Sequence, residues 1–204
     1  MKARPALDVS HLPAYALGPR GLMWWGTTGL LTIEGTMFAI LIATYFYLRI
    51  YVPEWPPHLP PPALFYGTAN TLVLLISAVP NEWVKHAAER QDLRGVRISL
   101  LICLAFSAAF LTLRAFEFTA LNCRWDTNAY GSIVWTIMGF HTFHLFTDAL
   151  DSTVLTGLMF TRRIEGARFV DVSENAVYWY FVVGAWLPLY AVVYVTPRLL
   201  QGTS

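Results

Sequence analysis

Charge is what this sequence has least of. Asp, Glu, Lys and Arg make up 13% of its 204 residues, against roughly 25% in soluble domains. Net charge is +1, which excludes a broad field drawing in nucleic acid. Cysteine is nearly absent too. Cys103 and Cys123 make neither a disulfide framework nor a metal knuckle, and the plain expectation for both is packing. No nucleophile triad, phosphate loop, dinucleotide fingerprint or CxxC appears, and there is no internal repeat. Paired histidines on several helices, which haem or copper ligation requires, are missing as well. The chain is therefore not expected to hold a redox centre by itself.

What fills the space is apolar. Hydrophobic residues make up 56% of the chain, and mean hydropathy is +0.48. A soluble domain of this size cannot hide so much apolar side chain, so the excess is expected to face lipid. Five runs approach the roughly 20 residues that cross a bilayer: 23–50, 64–84, 96–121, 130–160 and 175–199. They are too long and too continuously apolar for barrel strands, so an all-α integral membrane bundle of five helices is predicted. Residues 1–22 precede it, without a cleavable signal peptide being expected, and 201–204 form a tail.

Charge placement orients the bundle. Lys2, Arg4, Arg20, Lys85, Arg90, Arg94, Arg97, Arg162, Arg163 and Arg168 fall on one side, ten of fourteen basic residues. The others are Arg49, Arg114, Arg124 and Arg198. The positive-inside rule puts the N-terminus in the cytoplasm and the C-terminus outside. Trp24, Trp25, Tyr51, Trp55, Trp83 and Trp125 lie near helix ends, as aromatic belts do. The stretch PEWPPHLPPP, 53–62, is read as a stiff extended spacer in polyproline style.

Ionisable groups at membrane depth require a reason. Glu34 lies about three turns into the first helix, within LLTIEGTMFAI. It reads equally as a proton-exchanging or lipid-contacting carboxyl and as a buried acid bonded to a neighbouring helix. On the fourth helix, His141, His144, Asp148 and Asp151 are spaced 3, 4 and 3 and share one face. A metal there would need ligands from other helices, so a polar seam bonding helix four to its neighbours is the simpler reading. Arg114 and Glu117, at i, i+3, are spaced for a structural ion pair. Thr68, Asn70 and Thr71 give helix two a side suited to interhelical hydrogen bonds.

Four segments carry a resemblance. WWGTTGLLTIEGTMFAILIATYFYLR, 24–49, resembles the first core helix of subunit III in cytochrome c and quinol oxidases, with Glu34 on that family's membrane-buried glutamate. FEFTAL, 116–121, resembles its glutamate–aromatic segment, with Glu117 in register. YGSIVWTIMGFHTFH, 130–144, is similar to its YGS-to-GFHGxH helix through Tyr130, Gly131, Gly139, His141 and His144. ENAVYWYFVVGAWLPLY, 174–190, resembles its closing helix through Trp179, Trp186 and Tyr190. There are departures. Tyr180 and Val183 stand where the family commonly has histidine and aspartate, Thr142 stands for glycine, and Asp148 for a small residue. Asp148 is read as a carboxylate relocated from helix five to helix four.

The resemblance implies a short, divergent form of a haem–copper oxidase subunit III, in a bacterial cytoplasmic membrane. The family's full-length form has seven helices, and this sequence shows the five that follow the first two. It implies a non-catalytic chain with no cofactor or metal of its own, packed on subunit I, where haem and copper are expected. It also implies other oxidase subunits and membrane lipids as partners, phospholipid in a cleft, and no nucleic acid. Support of subunit I and of its proton uptake is the implied role. Glu34, His141 and His144 are expected to form a buried polar cluster between helices one and four. Glu117, Asp148 and Asp151 extend the seam. The rival readings are an accessory subunit of a nitric oxide reductase, a stand-alone transporter or proton channel, and a metalloenzyme built on HTFH. Unbroken helices and the lack of repeats speak against the transporter.

Overall fold

The computed structural model describes residues 17–161 and 166–201. The N-terminal stretch to residue 16, Arg162 and Arg163, and the tail from 202 lie outside the described residues. Among the described residues the only regular elements are helical: a short 3₁₀ turn, Gly18–Arg20, then α1 Leu22–Ile50, α2 Leu64–Glu89, α3 Leu93–Thr119, α4 Ala129–Met159 and α5 Gly166–Tyr190. A π-helical turn, Ala191–Val195, joins α5 to α6, Thr196–Gln201.

Among the described residues four helices are long and apolar enough to cross a membrane: α1, α2, α3 and the run Gly166–Leu200. α4 is not among them, although its 31 residues are ample in length. The reason is its polar stripe, most of which is buried against neighbouring helices while Asp151 is exposed. α4 has the most buried positions of any helix, including His141, His144, Asp148 and Ser152. It packs on α3 and α5, while α2 packs on α3 and α5, and α1 leans chiefly on α4 and α5. α1 accordingly buries only Phe38 and Tyr45.

Local chemistry sets several ends. Asp92 caps α3 by accepting from the Arg94 N–H (3.1 Å), and Asn128 caps α4 by accepting from the Gly131 N–H (2.8 Å). Gly131 is needed there because a Cβ would run into the Arg124 carbonyl. α2 runs on through Pro80 to Glu89, five residues past the sequence expectation. α5 begins nine residues before its expected start at 175. Asp171 and Glu174 look like loop residues in a hydropathy reading, yet the helix carries them inward. Further along, Pro188 lacks the N–H that would hold the preceding turn, and the π turn follows it. The last span stays helical from Gly166 to Leu200, with the π turn inside it.

The proline-rich loop is no plain spacer either. Its Trp55 is 5% exposed, packed edge-on against Tyr45 (5.3 Å) and Tyr130 (5.1 Å). Asn122 donates to the Pro60 carbonyl and Arg198 to that of Pro62, which ties the loop to the bundle's end. Burying an indole outweighs an extended solvated path. Beside it, Cys123 is a free thiol whose burial pushes its pKa up to about 11.

Candidate functional site: a closed ion-pair knot and an open acidic cleft

The bundle's polar residues sort into two groups. The first is closed. Arg114 and Glu117 on α3 are each 1% exposed and paired at 2.9 Å. Two bare charges would not survive that burial, so the neighbours answer them. Glu117 also accepts from Asn70 on α2 and from the Tyr194 hydroxyl on the π turn. Arg114 donates to Met138 Sδ (3.4 Å) and to His141 Nδ1 (3.3 Å), both on α4. Its guanidinium lies over the Trp186 ring at 4.0 Å and the Phe110 ring at 4.9 Å.

His141 can take one tautomer only. Its Nε2 faces the Val182 carbonyl at 3.1 Å and must donate, so Nδ1 is free to accept from Arg114. The surrounding bonds repeat across helices: Trp186 Nε1 to Thr71 (2.8 Å), Tyr190 hydroxyl with Thr68 (2.8 Å) and Trp179 Nε1 to Ser77 (3.0 Å). Gly67 keeps α2 close, since a Cβ there would lie 2.6 Å from the Tyr194 ring. This knot binds α2, α3, α4 and α5 together.

The second group is open. α1, α4 and α5 enclose a cleft of about 620 Å³ lined by Glu34, His144, Asp148, Asp151, Asp171 and Glu174, with apolar residues between them. Glu34 Oε1 accepts from the Tyr178 hydroxyl (3.2 Å) and lies 3.5 Å from His144 Nε2. His144 Nδ1 donates to the Phe140 carbonyl at 2.6 Å, which aims Nε2 at Glu34. The Asn175 amide, turned so that each atom meets its complement, donates to Asp148 (3.2 Å) and Asp151 (3.3 Å) and accepts from Ser152 (2.8 Å). Asp148 is 3% exposed and faces α5, where it meets Asn175.

The structure therefore places Glu34 with His144 and assigns His141 to the other group. The Phe38 ring stands between, 6.2 Å from His141 and 5.1 Å from His144. Three residues apart on one helix face, the two rings turn to different neighbours. The sequence-predicted pair Arg114–Glu117 forms, and Asn70, Thr68 and Thr71 make the expected interhelical bonds. Tyr130 is fully buried at the start of α4. Gly139 has open space where a Cβ would stand, and nothing in the bundle explains it.

Sequence reasoning missed Tyr178, Tyr194, Asp171 and Glu174. The acid spacing on α5, Asp171 and Glu174 at i, i+3 with Tyr178 four further on, was a readable signal once α5 is extended to Gly166. No such signal existed for Tyr194, which reaches Glu117 through the π turn. Tyr180, at the family's usual histidine position, bonds Glu82 on α2 instead.

The histidines are thus committed to protein partners. Among the described residues no group of three or more His, Cys, Asp or Glu is placed to hold a metal, and both rings spend their nitrogens on protein, His141 on Arg114 and Val182 and His144 on Phe140 and Glu34. Comparison with known proteins agrees with the geometry. The Cytochrome c oxidase subunit III family matches residues 54–197. Cytochrome c oxidase subunit 3 of Thermostichus vulcanus is 30% identical over 169 residues, covering 81% of this chain and 83% of the relative. That of Corynebacterium diphtheriae is 29% identical over 188 residues, covering 88% and 90%. The probable subunit 3 of Mycobacterium bovis is 31% identical over 179 residues, covering 83% and 85%. With the family matching residues 54–197 and relatives about 30% identical over more than four-fifths of its length, the chain belongs to the cytochrome c oxidase subunit III family of the haem–copper oxidases.

Proposed function

We propose that this chain is the non-catalytic third subunit of a proton-pumping oxidase in a bacterial cytoplasmic membrane, seated on subunit I, which carries the haem and copper. In this reading all five long helices cross the bilayer, α4 included, with the N-terminus in the cytoplasm. The family membership carries the reading. The knot supports it, because a buried ion pair reached from four elements makes a rigid body to lean on a partner. Isolation in mild detergent tests it. Haem absorbance and a haem-bearing partner chain are expected to travel with this chain, and its isolation free of both would overturn the reading.

The cleft adds proton handling. Glu34 and His144 face each other at the wall of a cleft whose acids continue toward the Asp171 end of α5, which is the cytoplasmic end in this orientation. A carboxyl, an imidazole and the Tyr178 hydroxyl in one line are groups able to pass a proton. Glu34→Gln in the assembled complex is expected to leave haem content unchanged and to slow proton uptake from the cytoplasmic side during turnover, followed with a pH-indicating dye. Unchanged uptake would remove Glu34 from that role.

A further inference from the structure

Pro80 and Pro188 each break the hydrogen-bond ladder of a membrane-length helix, and they face opposite ways. Pro80 in α2 is buried, so the carbonyl that it leaves without an i+4 donor, that of Ile76, opens toward the bundle. Pro188 in α5 is exposed, and the carbonyl that it frees, that of Gly184, lies one turn back on the same outward face. The helix keeps its α pattern to Tyr190, so the next N–H, that of Leu189, goes to Ala185. Gly184 is exposed, with open space where a Cβ would stand. Elsewhere in the bundle hydroxyls answer helix carbonyls: Thr142 that of Met138 (2.6 Å), Thr156 that of Ser152 (2.7 Å) and, in the π turn, Thr196 that of Ala191 (3.1 Å). Around Gly184 the exposed side chains are Leu187, Pro188 and Ala191, which carry no donor. One turn back, the Tyr180 hydroxyl is spent on Glu82.

Gly184 stands near the middle of the run Gly166–Leu200, at a depth where lipid offers no donor and a bare carbonyl is costly. α1 and α2 pack on α5 from its two sides. Phe181 meets Phe38 of α1 (6.3 Å) and Tyr180 meets Glu82 of α2, so the face that carries Gly184 is the floor of a groove between them. A lipid tail fills such a groove and leaves the carbonyl unanswered. A second helix fills it and brings a donor, and Gly184 and Ala191 are small enough for two backbones to come close. We propose that the Gly184–Pro188 face of α5, between α1 and α2, docks a transmembrane helix of the haem-bearing partner chain, with a hydroxyl, amide or indole group of that helix donating to the Gly184 carbonyl. The identity of that partner rests on the reading of this chain as an oxidase subunit, and the surface itself does not.

The test uses the assembled complex in its native membrane. Leu187→p-benzoylphenylalanine puts a photoreactive group at the edge of the notch, where Leu187 is 46% exposed. Irradiation is expected to join this chain to a membrane helix of the haem-bearing chain, located by mass spectrometry of the joined peptides. Gly184→Leu fills the notch from the outside, into open space. It is expected to lower the haem recovered per copy in mild detergent by about tenfold, the effect of one lost hydrogen bond at a contact. Ala105→Leu, which adds bulk to the exposed face of α3, is expected to leave recovery unchanged. The Leu187 adduct decides the matter if Gly184→Leu fails to insert. Adducts with lipid alone, haem recovery in Gly184→Leu equal to the parent, or equal losses in the two leucine variants would each overturn the proposal. A protein adduct whose partner bears no haem overturns the oxidase assignment and leaves the docking surface standing. Lipid adducts alone, in a complex that carries haem, overturn the surface and leave the assignment standing.

Discussion

The knot around Arg114 and the cleft around Glu34 use the same residue types, a carboxylate facing a histidine or arginine within a few ångströms, and yet they are opposites. In the knot each charge meets a charge, Glu117 has three donors, and aromatic rings close the sides. In the cleft the acids outnumber their partners and one side is open. The difference lies in the number of helices that converge. Four elements reach Glu117 and Arg114, whereas the cleft has α1 on one flank, the long helix with fewest buried positions. Polar groups packed from all sides act as fasteners, while those packed from two or three sides are left able to exchange protons or ligands.

Variants that break each region measure that contrast. The largest effect is expected for Arg114→Leu, which strands Glu117 in the core and costs about 3–5 kcal/mol. It should appear as a large drop in the complex's thermal midpoint and in recovered subunit. Pairing it with Glu117→Leu removes the stranded charge and is expected to restore much of the loss. A double variant no better than the single one would mean that the pair does not act as a unit. Next come the two histidines. His141→Gln loses bonds to Arg114 and Val182 and is expected to cost about 1–3 kcal/mol, while His144→Gln, at the cleft, costs under about 1 kcal/mol. Equal costs in a denaturation series would erase the distinction between knot and cleft.

The smallest effect is expected outside the membrane. Arg124 holds the exposed Asp126 carboxyl below the usual carboxylate range through its hydrogen bonds. The sign follows: the pair contributes above the unfolded carboxylate pKa and is lost as pH falls through the lowered value. At neutral pH, Arg124→Gln is expected to leave the thermal midpoint unchanged within error, as exposed pairs do, and to return Asp126 to the ordinary range by titration. A clear loss of stability would show that an exposed ion pair in this protein behaves like the buried one.

Much of the bundle was legible in the residues. Apolar length and low charge required helices in a membrane, because lipid offers the backbone no partner. The i, i+3 spacing of Arg114 and Glu117 was enough to pair them, since neighbours on a helix face meet whatever surrounds them. The motif on helix four was readable as a polar seam and as the family's own. Spacing along one helix, however, does not say which neighbour a side chain faces. His141 and His144 share a stripe on α4, and only the placement of α3, α5 and Phe38 sends one to Arg114 and leaves the other for Glu34. The π turn after Pro188 brings Tyr194 onto Glu117. The early start of α5 carries Asp171 and Glu174 into a cleft that hydropathy had assigned to a loop. Composition and periodicity are sums over neighbours in the chain, so they determined the class of fold and its helices. Convergence of side chains from separate helices depends on how those helices pack, and that alone decided which polar groups are locked and which are left open.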